Sequence, residues 1–146
     1  MSDSPIWAVL GAFDGLDLDA TMSMFAPDVT LMTTFGEEAA GRDAVRRVLG
    51  SFFGDLRTVR YEVTAEWNPE PGVSIAEASA TYELTDFSRR GPYKRAIVLR
   101  TGDHGIELLR FYGAHELPLA LADHRRQWLL GDHVGQDETL VRLGKP

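Results

Sequence analysis

The spacing of apolar residues changes near residue 57, and this change constrains what the chain can fold into. Before that point, apolar side chains recur every three or four residues, as they do on one face of a helix. After it they alternate with polar side chains, most clearly from Val59 to Trp67. The pattern predicts helices followed by long antiparallel strands, so we expect an α+β domain whose helices lie on one face of the sheet.

Capping and turn residues set the expected bounds of these elements. Ser4-Pro5 can open a first helix that ends at Gly15, and Asp17 can cap a second helix that Pro27 ends. A third helix is predicted to end at Gly54. This third helix is expected to start at 41–43. The other expected elements are a short strand at 29–34, a loop at 36–41, and strands at 57–67, 73–87, 93–101 and 106–115.

Length, charge and composition exclude several classes of protein. With 146 residues, one domain is expected. The formal net charge of −7 argues against binding to nucleic acid or to anionic lipid. The chain has no cysteine, which excludes disulfides and thiolate metal sites. No basic secretory leader is evident, and no apolar run reaches the roughly 20 residues of a membrane span. We therefore expect a soluble, cytoplasmic protein without membrane partners.

Several short segments fall in an order that is typical of one superfamily. They are Leu16–Asp19, Phe25–Val29, Gly41–Val45 and the hairpin from Gly102 to Ile106 with its continuation to Tyr112. With these segments the chain resembles the nuclear-transport-factor-2-like superfamily, in its SnoaL-like and ketosteroid-isomerase-like branch. The resemblance covers about residues 5–119. We therefore expect a SnoaL-like domain over residues 1–119 and a C-terminal extension, 120–146, packed on or draped over it.

The resemblance implies a curved antiparallel sheet wrapped around three N-terminal helices into a cone, the cystatin-like α+β barrel. The open end of such a cone usually holds a pocket for a small hydrophobic ligand, and many members form homodimers through the outer face of the sheet. The residues expected to line the pocket are Trp7, Leu10, Phe53, Trp67, Leu84, Val98, Leu109 and Phe111.

The catalytic groups of ketosteroid isomerases have no counterpart in this sequence. Alignment on the shared segments places Thr33 at the position of the carboxylate base, Val9 at that of the tyrosine and Ala96 at that of the buried acid. A threonine hydroxyl is not a useful base near neutral pH. Steroid isomerisation by that apparatus is therefore not expected.

Other acid–base residues remain as catalytic candidates. Asp86 follows Tyr82 and Leu84 on one face of a predicted strand, where it could stand at a pocket mouth. In SnoaL-like cyclases the end of the last strand carries an acid–base residue, and His115 stands there in this chain. Tyr82 or Tyr112 could orient a substrate. The alternatives are that His115 only caps its strand and that Asp86 only pairs with a neighbouring arginine.

Metal and cofactor signals are absent from the sequence. The four histidines lack ligand spacing, and no glycine-rich phosphate loop is present. No cofactor and no metal is expected. The first hypothesis is a small-molecule enzyme that catalyses cyclisation, isomerisation or dehydration of an apolar, carbonyl-bearing or polycyclic substrate by acid–base chemistry. The alternative is a non-catalytic module for ligand binding, dimerisation or assembly.

Overall fold

Three helices and six strands make up residues 4–34 and 38–113, which are the residues that the computed structural model describes. The predicted extension at 120–146 and the candidate His115 lie outside them. The strands form one curved, open sheet in the order β2-β1-β6-β5-β4-β3, in which only β1 and β6 run parallel. The elements are α1 (Pro5–Asp14), α2 (Leu18–Ser23), β1 (Phe25–Met32), β2 (Glu38–Ala40), α3 (Arg42–Gly54), β3 (Leu56–Glu70), β4 (Val73–Leu84), β5 (Arg89–Gly102) and β6 (Gly105–Tyr112).

The helices begin where the sequence predicts. Pro5 occupies the first turn of α1, where its missing N–H costs no hydrogen bond. The Asp17 carboxylate caps α2 by accepting from the Ala20 N–H at 3.0 Å. Gly41 precedes α3 with a φ of 89°, which favours glycine. Buried side chains of α1 and α3 share one core with those of the sheet.

The face of the sheet that α1 and α3 cover is called the inner face, and the opposite one the outer face. The main core lies between the helices and the inner face. Phe13 is at its centre, 1% exposed, with Phe53 and Phe111 in contact with its ring. Burying such apolar side chains is the main stabilising contribution to the fold. The α+β cone that the resemblance implied is confirmed.

Several strand bounds differ from the prediction: β4 ends at Leu84 rather than at residue 87, and β5 begins at Arg89 rather than at residue 93. Strand β1 begins at Phe25 rather than at residue 29 and continues through Pro27. The register between β1 and β6 shifts between Phe25 and Thr30, so the missing N–H of the proline falls in an irregular stretch. The segment 36–41, predicted as a loop, contains β2, which pairs with β1 through Leu31 and Ala39.

A β-bulge in β3 changes which side chains face the helices. Val63 pairs with Ala78, and Ala65 pairs with Glu77, so Thr64 is one residue more than β4 can match. The Thr64 hydroxyl donates to the Glu77 carbonyl at 3.2 Å. Beyond an extra residue the side chains of a strand exchange faces. Trp67, which simple alternation places on the inner face, therefore lies on the outer face.

Candidate functional site

A pocket opens between α1, α3 and the inner face of the sheet. The empty space of about 490 Å³ includes open solvent at its mouth, so the enclosed part of the pocket is much smaller. Most of its wall is apolar, and aromatic rings come from both helices and from β6. The lining residues are Phe13, Leu31, Thr33, Thr34, Val48, Leu49, Phe52, Tyr61, Tyr82, Arg95 and Phe111. An apolar cavity with a few convergent polar groups is typical of a small-molecule site.

Arg95 is the one charged residue in the described lining of this pocket. It lies opposite Ala78 in the β4–β5 pair, on the same face as Ile97, and is only 3% exposed. Its Nη1 donates to the Lys94 carbonyl at 2.9 Å. Its Nη2 is buried and has no acceptor among the described residues. The guanidinium lies 5.4 Å from the ring centre of Tyr93. Arg95 therefore brings a buried cation to the pocket wall, and the described residues leave its Nη2 without an acceptor.

Gly113 leaves the space that the Arg95 side chain occupies. A Cβ atom at Gly113 would stand 2.6 Å from Arg95 Nη1 and 2.8 Å from the Lys94 carbonyl oxygen. Side-chain carbons do not approach nitrogen or oxygen that closely without displacement. The absence of a side chain at this position therefore leaves room for the guanidinium at the pocket wall.

Two tyrosine hydroxyls join Arg95 in the pocket. Tyr61 and Tyr82 share a hydrogen bond, and the Tyr61 hydroxyl is buried although part of its ring is exposed. Burial raises the pKa of Tyr61 well above its ordinary value, the neighbouring Tyr82 raises it further, and the Arg95 charge opposes the rise. Tyr61 is therefore neutral at ordinary pH, and its hydroxyl can donate but does not act as a base.

Asp14, at the end of α1, attaches that helix to the edge strand β3. Its carboxylate accepts from the Tyr61 N–H at 3.0 Å. Partial burial raises the pKa of Asp14, although this hydrogen bond and the charge of Arg60 act against the rise. Asp14 is not among the residues that line the pocket.

The predicted position of Asp86 is wrong. Strand β4 ends at Leu84, so the alternation that would carry Asp86 to the pocket mouth stops two residues earlier. Asp86 lies in the exposed turn before β5, where its Oδ1 accepts from the Ser88 N–H at 2.9 Å and from the Ser88 hydroxyl at 2.6 Å. These hydrogen bonds lower the pKa of Asp86. The structure gives this carboxylate a role in the turn and no contact with the pocket.

The other predicted site residues divide into three groups. Tyr82 and Phe111 line the pocket. Four residues are buried in the core without reaching the pocket wall: Leu10, Phe53, Leu84 and Leu109. The third group was predicted wrongly, because the side chains point elsewhere: Trp7 lies at the surface of α1, where its indole N–H donates to Glu66 at 3.1 Å, and Trp67, Val98 and Tyr112 lie on the outer face.

The three positions that align with the catalytic residues of ketosteroid isomerases lie in different surroundings. Thr33 lines the pocket, whereas Val9 is buried in the core of α1. Ala96 shares the outer face with Val98, and its neighbour Arg95 is the residue that faces inward. At that level of β5 the pocket therefore meets a cation rather than a neutral acid.

Two further classes of site are not found in the described part of the chain. Within residues 4–34 and 38–113, no cluster of three or more histidine, aspartate or glutamate side chains could hold a metal ion. No helix in the same residues is long and apolar enough to cross a membrane.

The fold and the pocket define the class of protein, a cone-shaped α+β domain with an apolar pocket between its helices and its sheet. The SnoaL-like domain family matches residues 8–113, and the chain belongs to this family. The predicted membership is thereby confirmed. No curated protein sequence matches the chain significantly.

Solved structures with the same fold share little sequence with this chain. A hypothetical protein from Catenulispora acidiphila with a ketosteroid isomerase-like fold, in complex with trimethylamine, has a TM-score of 0.70 at 18% identity, over 84% of this chain and 95% of that one. An NTF2-like protein from Exiguobacterium has a TM-score of 0.64 at 15% identity, over 75% and 98%. TerC, co-crystallised with polyporic acid, has a TM-score of 0.63 at 12% identity, over 82% and 92%. At these identities the likeness shows the fold alone.

Proposed function

We propose that this protein is a small-molecule enzyme of the SnoaL-like type that performs acid–base chemistry without a cofactor. The observation that supports this proposal is the group formed by Arg95, Tyr61 and Tyr82 in an otherwise apolar pocket. Cyclisation, isomerisation and dehydration next to a carbonyl all place negative charge on the carbonyl oxygen. A buried cation with hydroxyl donors in the same pocket stabilises that charge where water is excluded.

The proton acceptor for this chemistry must come from outside the described lining, which contains neither carboxylate nor imidazole. His115 remains our proposed base, two residues after Gly113. Its unperturbed pKa of about 6.5 suits proton transfer near neutral pH. The division of roles is then an arginine and tyrosines that hold the oxygen and a histidine that moves the proton.

Hydrogen–deuterium exchange tests this proposal without a known substrate. Small cyclic ketones are incubated with the protein in D₂O, and deuterium entry next to the carbonyl is followed by NMR. Loss of one group that stabilises the oxyanion typically lowers the rate by about 10²–10³. We expect such a loss in Arg95→Met, and a loss of about 10²–10⁴ in His115→Ala. Asp86→Asn is the control and should exchange at the wild-type rate.

The alternative function is ligand binding without catalysis. It is supported by the lack of a base among the described lining residues. If the wild-type protein exchanges none of the ketones faster than buffer does, yet binds one of them saturably, the binding function replaces the enzymatic one.

The proposed partner is a second copy of this chain, bound through the outer face of the sheet. Apolar side chains on that face are unusually open: Trp67 is 51% exposed and Tyr112 is 41% exposed, with Ile75 and Val98 between their strands. Sedimentation at micromolar concentration should give a dimer for wild type and a monomer for Trp67→Arg. Phe87→Ser, at an exposed turn, should stay dimeric. A monomeric wild type contradicts the proposal.

The cytoplasm stays the proposed compartment, since a chain without cysteine needs no oxidising environment.

A further inference from the structure

Arg95 differs in burial and in partners from the arginines that form ion pairs in the described part of the chain. Arg46, Arg57, Arg100 and Arg110 each lie near the surface with a carboxylate partner. Arg95 is buried, and no carboxylate among the described residues pairs with it. The guanidinium of arginine keeps its proton in proteins, so it cannot relieve its burial by becoming neutral. The pocket wall therefore carries a permanent positive charge.

An uncompensated buried charge is costly, and the cost is removed when an anion comes to it. Arg95 Nη1 is already held by the Lys94 carbonyl, whereas Nη2 lacks an acceptor within the described residues. The planar guanidinium suits planar pairs of oxygen atoms, as in carboxylates. The group that best fits Arg95 is therefore negatively charged and planar.

We propose that the ligand of this pocket is a monoanion before any reaction, with its charge shared by two oxygens of a carboxylate or a 1,3-dicarbonyl enolate, on a single apolar ring. One cation in the lining matches one negative charge. Phe13, Phe52 and Phe111 provide walls for a flat ring, and the volume of about 490 Å³ includes the open mouth, so it favours small ligands. This inference rests on the proposed function only in that both use the same pocket.

Binding of four matched probes tests the inference by calorimetry on the full chain. Benzoate is compared with neutral benzamide and with benzylammonium, and 1,3-cyclohexanedione, an acidic enol, distinguishes the enolate from the carboxylate. We expect the Kd of benzoate or of the dione to be at least about tenfold lower than that of benzamide, because charge-assisted hydrogen bonds are stronger than neutral ones. Benzylammonium should not bind.

Variants assign the preference to Arg95. Arg95→Met should bind benzoate no better than benzamide, and without ligand it should melt at or above the wild-type temperature, since a buried charge is lost. Arg100→Met replaces an outer-face arginine of the same strand, 52% exposed as a side chain, and should keep the wild-type preference. Arg95→Lys should retain a weaker preference, because an ammonium cannot form the planar pair.

Equal affinity for benzoate, the dione and benzamide, or a benzoate preference that survives Arg95→Met, overturns the inference. A lower melting temperature of unliganded Arg95→Met shows that the charge is already compensated and also overturns it. If Arg95→Met does not fold, Arg95→Lys decides, since an unchanged benzoate affinity would exclude the planar pair. If the protein binds anions more tightly but does not catalyse exchange of the ketones, only the enzymatic proposal is contradicted. If it catalyses the exchange but has no preference for anions, only this inference is contradicted.

Discussion

Replacing Phe13 with alanine should be among the most destabilising single changes in the core. Phe13 is 1% exposed, and its ring centre lies 5.3 Å from that of Phe53, 5.6 Å from Phe111 and 6.1 Å from Tyr61. A buried Phe→Ala change costs about 3–5 kcal/mol, and each aromatic pair contributes roughly 0.5–1.5 kcal/mol beyond its buried area. Three such pairs place Phe13→Ala in the upper half of that range, about 4–5 kcal/mol.

Urea and thermal unfolding followed by circular dichroism measure this loss. For a domain of this size, roughly 3–4 °C of melting temperature corresponds to 1 kcal/mol, so the expected drop is roughly 12–20 °C. Phe87→Ala is the matched control, because that ring is 62% exposed and contacts Arg57 at 4.4 Å. It should cost no more than about 1 kcal/mol. A loss below about 1.5 kcal/mol in Phe13→Ala would refute the central packing role of this ring.

Two further predictions concern charge and backbone. Because burial raises the pKa of Asp14 above 3.8, its stabilising contribution is full below that pH and declines as the pH rises through the raised value. Melting temperatures against pH should therefore show wild type losing stability relative to Asp14→Asn over that rise, and a relative gain would contradict the assignment. Gly105 has a φ of +118°, and a Cβ there would lie 2.7 Å from the Met24 carbonyl oxygen, so Gly105→Ala should lose roughly 2–3 kcal/mol in urea unfolding. Gly11→Ala is the comparison, because an added Cβ at Gly11 would meet no described residue within 4 Å beyond the backbone of α1 itself. This variant should gain roughly 0.5–1 kcal/mol of unfolding free energy. A loss of stability in Gly11→Ala would show that backbone strain does not explain the different effects at Gly105 and Gly11.

The order of helices and long strands was predictable, because each depends on a periodicity within its own segment. The face that a side chain takes after a bulge was not. The register of β3 against β4 shifts at Thr64, and nothing in the alternation from Val59 to Trp67 marks that residue as extra. The bulge is a property of two paired strands, so a single strand read alone placed Trp67 in the pocket.

The short elements were missed for a related reason. Three residues, Glu38–Ala40, form β2 only because β1 offers a free edge to pair with.

Asp86 was misplaced because the alternation of β4 was extended past Leu84 into the turn. Its serine neighbour two residues later is a turn signal, since aspartate side chains commonly accept hydrogen bonds from the backbone two residues on.

The pocket cation was hidden by an ambiguity in β5 that only its neighbours resolve. Lys94 and Arg95 are adjacent, and apolar residues follow on both parities, so alternation does not decide which base faces inward. Register decides it: Arg95 lies opposite Ala78 of β4, and on its other side Gly113 follows the Ala96–Tyr112 pair of β5 and β6. Small residues on both sides leave a slot that a long side chain fills. A small residue at matching positions of two strands, flanking a charged residue of the strand between them, is therefore the signal from which an inward-facing arginine could be predicted in a sheet of this kind.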